Sequence, residues 1–493
     1  WFQFADDATV VTLNESENQI LLNCFTRWCQ WSNMIIRVDK CSTFGIKKCL
    51  TSSSQYLPKL LVNNERIPPT ELGDSFTYLG KHFNYNMNDE LHKSEILETT
   101  TNLMKLIDRL PIDPKYKLMI YQKYVLAKIS WHLTVSDITK TWVVNNMDNM
   151  ISSYVRFWFE IPINGTLDIL ALSNINFGVS LILPSQKFIE CQITKRNILK
   201  VSLNDDIKKL YHSTTNGTNL QFDKFCNGKE YLDFNRKEKQ DRIKNDLKNQ
   251  GFILKSIMEM GLQFTKPIWS LMQQGLPKNI FSFSLRYLNN TLATKNNLCL
   301  WKLAASNECS FCKQPESLLH VIAGCNKYLH QGRYNWRHDS VLFYLTTVIK
   351  SRSNIDIYAD LENHRSPSII TGMSYRPDIV FIFNETLYIL ELTVGFETNI
   401  SINVERKKEK YKHMLLDLEQ RYSKVSFINL SLGALGIFSK QCTTFVPMLK
   451  DLNFNDKEIK FTIQKVMNIC IRTTYFIFCR RNKDWFVEGY LNY

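Results

Sequence analysis

Three groups of residues combine side chains and spacings that could do chemistry. The first is in "FQFADDATVV", residues 2–11, where Asp6 and Asp7 sit side by side between apolar runs. Adjacent carboxylates on a tight turn repel one another unless a cation meets them. Mg²⁺ prefers carboxylate oxygens and keeps several waters, so few protein ligands suffice. Two such ions can stabilise the attacking and leaving oxygens of a phosphoryl transfer. Most Asp-Asp pairs are ordinary turns, so context decides this one.

The second group is "CSFCKQPESLLHVIAGC", in which Cys309, Cys312, His320 and Cys325 are spaced Cys-x2-Cys-x7-His-x4-Cys. Zn²⁺ takes four N or S ligands in a tetrahedron, and a Cys-x2-Cys turn supplies two from one corner. A short helix from Glu316 to Ala323 would present His320. The alternative is three free thiols and a buried histidine.

The third group begins at "SYRPDIVFIFNETLYILELTVGF", where Asp378 and Glu391 stand on two apolar runs with 12 residues between them. If Asn384-Glu385 is a two-residue hairpin loop, Phe383 faces Thr386 and Asp378 falls directly opposite Glu391. Opposed side chains lie about 5 Å apart at Cβ on one face of a sheet. Two carboxylates there repel unless they share a metal. In "NVERKKEKYKHMLLDLEQRY" a helical apolar stripe of Val404, Tyr411, Leu415, Leu418 and Tyr422 is interrupted by Lys407 and Lys408. An inward lysine is costly unless carboxylates or a phosphate meet it; the alternative is a buried stem whose amine reaches water. Asp, Glu and Lys converging on a metal and a scissile phosphate describe PD-(D/E)xK nuclease chemistry. Because the residue two after Glu391 is Thr393, the lysine comes from the following helix.

The elements that must position these groups can be followed along the chain. Residues 1–13 read as strand, turn, strand, and Asn14 with Glu17 resembles a capping box. The helix that follows carries Leu21, Cys24, Phe25, Trp28 and Trp31 at helical spacing. "IIRVDKCSTFGI" returns to strand, and "FTYLGKHFN" is a short hairpin turning at Gly80. From about Glu90 to Lys200 the pattern is helical, with Trp131, Trp142, Phe157 and Trp158 read as core. Residues 201–290 are charged and mostly helical, and "NRKEKQDRIKNDLKNQ" reads as a solvated face.

Composition bounds the reading. The 493 residues are 44% hydrophobic and 22% charged, which is globular, and the length allows two to four domains. The formal net charge of +14 suits a polyanionic partner, with a genomic bias toward Lys and Asn codons as the alternative. No apolar run approaches the roughly 20 residues that span a bilayer. With no secretory signal evident, the 13 cysteines are expected to be reduced thiols of an intracellular protein. A start at Trp1 suggests a fragment.

"FADD", a helix, "VDKCSTF" and then "FTYLG" together resemble the second half of the palm of a reverse transcriptase from a non-LTR retrotransposon. The resemblance implies that Asp6 and Asp7 belong to a polymerase Mg²⁺ site. It places Lys40 where a lysine protonates the pyrophosphate leaving group, and Tyr78, Leu79 and Gly80 on the hairpin that grips the primer end. The family's third metal-binding aspartate and its fingers lie upstream of the pair and are not in this sequence. "RPD", "ELTVGFETN" and "RKKEKY" resemble the restriction-like endonuclease of the site-specific non-LTR elements. There a Cys-Cys-His-Cys knuckle comes first, then a stretch like "GRYNWRHDSVL". Arg406, Lys407, Lys410 and Tyr411 fit that family's Arg-Lys-x-x-Lys-Tyr pattern, which favours Lys407 over Lys408.

The expected fold is therefore multidomain α+β: a partial palm at 1–88, a helical thumb at 89–200, a helical linker at 201–300, a zinc knuckle at 301–330 and an α/β endonuclease at 331–493. The function the resemblance implies is that of a C-terminal retrotransposon fragment. Such a protein nicks DNA in the nucleus and uses the nick to prime copying of a template RNA from dNTPs. Asp378 and Glu391 would hold Mg²⁺ for the nuclease, with Lys407 orienting or activating water. The rivals are a catalytically dead, zinc-containing nucleic-acid-binding remnant and a stand-alone repair nuclease.

Overall fold

The computed structural model describes every residue except 1, 6, 49, 216, 262–264, 353–354, 487–488 and 491–493. It is a mixed α/β protein in two compact units, Trp1–Pro111 with Met119–Ile151 and Leu183–Leu232, and Ile112–Leu118 with Ser152–Ile182 and Asp233–Tyr493. Among the described residues no helix is long and apolar enough to cross a membrane.

The first unit opens with β1 (Phe2–Phe4) and β2 (Asp7–Thr9), antiparallel with Phe4 opposite Asp7. Helix α1 (Glu15–Trp31) follows; its N-terminus is capped by the Asn14 side chain, which accepts from the Glu17 N–H at 2.8 Å. The Glu17 carboxylate reaches back to the N–H of Leu13 at 3.1 Å, one residue earlier than in a standard capping box. The apolar stripe expected on α1 does not face the core. Trp31 is 83% exposed, Leu21, Cys24 and Trp28 are also exposed, and the buried residues are Thr26 and Cys29. Leu22, on that other face, packs on a small core of Val38, Leu60, Val62 and Ile67.

"IIRVDKCSTFGI" forms a 3₁₀ turn at Val38–Lys40 before the strand β3 (Gly45–Lys48), which pairs with β4 (Ser53–Tyr56). After the small ladder β5 (Leu61–Val62) with β6 (Glu65–Arg66) comes the hairpin β7 (Phe76–Tyr78) and β8 (Lys81–Phe83). Its two-residue loop has Leu79 at φ 49° and Gly80 at φ 74°. Positive φ at both central positions matches the right-handed twist of the flanking strands, but only glycine takes it without steric cost. Lys81 fixes the hairpin by an ion pair with buried Asp89 at 3.3 Å and a bond to the Val135 carbonyl at 3.0 Å. Asp89 precedes α2 (Glu90–Arg109), and Val135 ends α3 (Leu126–Val135), which packs on α4 (Pro184–Val201). Helix α3 buries Leu126, Ile129 and Leu133, so Trp131 falls on its other side and is 47% exposed.

The second unit is built on a four-stranded sheet. After helices at Phe252–Met260, Thr265–Gln274 and Lys278–Leu288 come α5 (Arg333–Lys350) and β9 (Ile357–Ala359). Next are β10 (Ile379–Phe383), β11 (Thr386–Gly395), α6 (Ile400–Arg421), β12 (Lys424–Gly433) and α7 (Asp456–Cys479). The strand order is β12-β11-β10-β9, with β10 antiparallel to both neighbours and β11 parallel to β12. Helix α6 is thus the crossover of a β-α-β unit. Val380, Leu387 and Ile389 on one face of the sheet pack on Tyr411, Met414 and Leu418 of α6. Trp158 is buried in this unit, whereas Phe157 beside it is 72% exposed.

Candidate functional site

The hairpin β10–β11 sets the geometry of the third group. Its loop is Asn384-Glu385, both at positive φ, with Phe383 opposite Thr386 and Ile379 opposite Leu390. Continuing that ladder by one residue places Asp378 opposite Glu391. Side chains alternate along a strand, so both carboxylates share the face of Val380 and Ile389, the face that α6 covers. Glu391 is 1% exposed, and Lys407 of α6 puts its Nζ against Glu391 Oε1. Lys408 is exposed and pairs with Glu405 on its own helix at 3.1 Å.

More side chains converge here than the sequence reading named. Asp378 Oδ2 accepts the Leu392 N–H at 2.6 Å, and Asp378 Oδ1 lies 3.4 Å from His338 Nε2. His338 Nδ1 is 2.9 Å from Asp339 Oδ1. Burial alone would lower the His338 pKa, but Asp378 and Asp339 outweigh it and hold the imidazole up at about 10. Arg376 pairs with Asp360 at 2.5 Å, and the Asp360 N–H donates to the Asp378 carbonyl at 2.9 Å. Tyr411 donates to the Arg376 carbonyl at 3.2 Å. Burial raises the Glu391 pKa and the Asp378 charge adds to it, while Lys407 opposes both. The only trace of His338 and Asp339 in the sequence is the "RHD" within "GRYNWRHDSVL"; Asp360 leaves none.

Among the described residues two buried oxygens in this site have no hydrogen-bond partner: Glu391 Oε2 and Thr393 Oγ1. Residues 391 and 393 point to the same face of β11. A buried carboxylate oxygen without a donor costs free energy, and a hard divalent cation satisfies it with the chemistry oxygen ligands suit. The donor set of Asp378 and Glu391 is of the kind that could hold a hard divalent cation.

The second group forms a compact cluster. One ligand atom from each of Cys309, Cys312, His320 and Cys325 lies within 4.8 Å of all the others, so the four could hold a zinc ion. Cys312 Sγ is 3.3 Å from His320 Nε2 and 3.8 Å from Cys325 Sγ. Burial pushes the Cys325 thiol up to about 12, with the neighbouring thiols adding to it. Burial lowers the His320 pKa, favouring the neutral imidazole that ligates metal. His320 opens a π-helical turn, His320–Gly324, a widened geometry common where a helix must aim a functional side chain. Tyr334 of α5 donates to the carbonyls of His320 and Val321 and accepts the Cys325 N–H at 3.0 Å. One turn on, buried Arg337 donates to the Val394 carbonyl of β11 at 3.0 Å. Helix α5 therefore links the knuckle to the Asp378 site through Tyr334, Arg337 and His338.

The first group is only partly visible. Asp6 lies outside the described residues. Asp7 is exposed on β2, Lys40 is exposed at the end of its 3₁₀ turn, and no ion pair or side-chain hydrogen bond joins the two. Tyr78, Leu79 and Gly80 form the β7–β8 turn, with Tyr78 opposite Lys81.

The chain is similar to part of a retrotransposon polyprotein. It is 20% identical, over 89% of its own length, to the Retrovirus-related Pol polyprotein from type-2 retrotransposable element R2DM of Drosophila melanogaster. It spans 41% of that relative, well under half. No protein-family profile matches the chain. The similarity supports a retrotransposon polyprotein origin.

Proposed function

We propose that the second unit is a Mg²⁺-dependent DNA endonuclease and that the chain is the C-terminal part of a retrotransposon reverse transcriptase/endonuclease. The observation that carries this reading is the convergence of Asp378, Glu391 and Lys407 around the unpartnered Glu391 Oε2. Asp378 and Glu391 would hold the metal. When bound, the metal supplies positive charge to the scissile phosphate and acidity to a coordinated water. The Asp378 carboxylate is oriented by the Leu392 N–H and by His338. Lys407, which lies against Glu391 Oε1, would orient the attacking water or a phosphate oxygen. Cys309, Cys312, His320 and Cys325 hold zinc and brace the unit.

The palm-like segment belongs to the same proposal. Asp6 and Asp7 would act with a third carboxylate outside this sequence, Lys40 would serve the leaving group, and the Tyr78-Leu79-Gly80 turn would grip the primer end. The non-glycine Leu79 held at positive φ supports a functional turn, since such strain concentrates at functional sites. The partners are a DNA target, a template RNA and dNTPs, in the nucleus.

Nicking of supercoiled plasmid by the full chain with and without Mg²⁺ tests the nuclease. Asp378→Asn and Glu391→Gln should each remove nicking by about 10²–10³-fold or more, with DNA binding retained. Cutting that survives Asp378→Asn refutes the site. A well-folded chain that binds DNA and never cuts favours the inactive remnant.

A further inference from the structure

Behind the β7–β8 hairpin three histidines and a glutamate converge in the first unit. His82 comes from β8, His92 and Glu95 from α2 and His132 from α3. The spacing His92-x-x-Glu95 places both on one face of α2. His82 Nε2 lies 2.9 Å from Glu95 Oε2, and His92 Nδ1 lies 3.6 Å from the same oxygen. One ligand atom from each of His82, His92 and Glu95 falls within 4.8 Å of the other two. His92 is fully buried, and its Nδ1 has no hydrogen-bond partner among the described residues.

We infer that His82 Nε2, His92 Nδ1 and Glu95 Oε2 form a second transition-metal site, of the kind that takes Zn²⁺, clamping the β7–β8 hairpin to α2. Zn–N and Zn–O bonds of about 2.0–2.1 Å in a tetrahedron put ligand atoms roughly 3.3 Å apart, close to the two separations above. The outer partners suit ligation as well. His92 Nε2 is 3.4 Å from His132 Nδ1, and in the tautomer that carries its proton on Nε2 the Nδ1 lone pair is free for a metal. Thr77 Oγ1 at 3.2 Å and Ser75 Oγ at 3.4 Å engage His82 Nδ1, which leaves Nε2 to face the site. A plain hydrogen bond between His82 and Glu95 satisfies those two groups but strands His92 Nδ1 in the interior, which is unfavourable for a buried polar atom. A cation satisfies all three. The side chains of Glu95 and His82 are 48% and 30% exposed, so solvent gives an entry path and a water for the fourth position. This site is independent of the nuclease reading.

Elemental analysis of the full chain after equilibration with Zn²⁺ and gel filtration tests it. Glu95→Gln, at a half-exposed position, should remove one equivalent of zinc, and His92→Gln the same one. Cys312→Ser should remove a different equivalent, so that the Glu95→Gln/Cys312→Ser double variant holds none. Co²⁺ substitution separates the two, since only the knuckle gives thiolate charge-transfer absorption, which Glu95→Gln leaves intact. Hydrogen exchange at residues 76–83 should slow when Zn²⁺ is added to the wild type and not to Glu95→Gln. Zinc content unchanged by both Glu95→Gln and His92→Gln overturns the proposal. Circular dichroism confirms that each variant is folded, and Glu95→Gln decides the matter if His92→Gln fails to fold.

Discussion

Lys407 rests its Nζ against Glu391 Oε1, a contact 16 positions apart in sequence that ties the crossover helix α6 to the central strand β11. Its neighbour Lys408 points away and pairs within its own helix. The two lysines have nearly the same sequence context, so they separate a catalytic role from general basicity. Lys407→Ala should lower plasmid nicking by about 10²-fold, while Lys408→Ala should stay within about 3-fold, as befits an exposed ion pair. Equal losses in the two variants, with DNA affinity falling in parallel, would assign both to backbone binding.

The knuckle prediction follows from its connection to α5. Chelation of zinc, or His320→Ala, should speed hydrogen exchange over the knuckle and at the start of α5, where Tyr334 holds the His320 and Val321 carbonyls. Structural zinc contributes folding free energy directly. A loss of about 2 kcal/mol lowers Tm by roughly 3 °C in a unit of about 300 residues. Nicking should fall as well, because α5 carries His338 to Asp378. Exchange unchanged by chelation would mean that the four ligands hold no structural metal.

What was legible in the sequence was local. The hairpin register at Asp378 and Glu391 follows from a two-residue loop and a period of two, and the knuckle from four ligands within 17 residues. The contributions of His338 and Asp360 were not legible, because helix packing and strand pairing bring them in from distant segments, whereas Arg376 lies in the "RPD" beside Asp378. The α1 stripe failed for a different reason. Helical spacing identifies an apolar face but not what covers it; here the mixed face of Leu22, Thr26 and Cys29 meets the small β5–β6 core. Trp131 was misread likewise, since α3 already buries Leu126, Ile129 and Leu133 on its opposite side. The histidine cluster escaped because His82, His92 and His132 are scattered over three elements with no motif spacing.

Tyr287 and Glu397 give a stability prediction inside the second unit. Glu397 is buried, accepts the Tyr287 hydroxyl at 2.5 Å and accepts the Leu435 N–H at 3.0 Å. Burial raises its pKa even so. Tyr287→Phe removes one donor from a buried carboxyl and should cost about 1.5–3 kcal/mol, measured by urea unfolding. A cost below about 0.5 kcal/mol would mean that Glu397 is protonated and finds another partner.

The first unit offers a pH test. Arg196 is 4% exposed and holds Asp223 with two bonds, Nε to Oδ1 at 2.9 Å and Nη2 to Oδ2 at 2.6 Å, while Tyr211 donates to Oδ2 at 3.2 Å. The hydrogen bonds and charge of Arg196 hold the Asp223 carboxyl below its ordinary value. A carboxyl with a depressed folded pKa binds its proton more readily when unfolded. Its contribution is therefore full above the unfolded value of about 3.9 and is lost as pH falls through the folded value. Asp223→Asn should lower stability at pH 7 by about 3 kcal/mol and flatten the decline on acidification below about pH 4. Parallel stability curves for wild type and variant down to pH 3 would show that the pair does not drive it.

The last prediction concerns the charge itself. A net +14 can reflect a polyanionic partner or merely a bias in codon usage, and the two differ in their response to salt. Neutralising phosphates releases counterions, so log K against log salt should fall with a slope of about −0.9 for each phosphate contacted on duplex DNA. The Asp378→Asn variant is the right reagent, because it removes a proposed metal ligand and allows binding to be read without cutting. Six contacts would cost roughly 10³-fold in affinity between 50 and 200 mM salt. Lys408→Ala in that background should reduce the slope by about one if this exposed lysine meets a phosphate. A slope near zero would place the excess lysines in the codon-bias category and remove electrostatics from the account of how this chain reaches DNA.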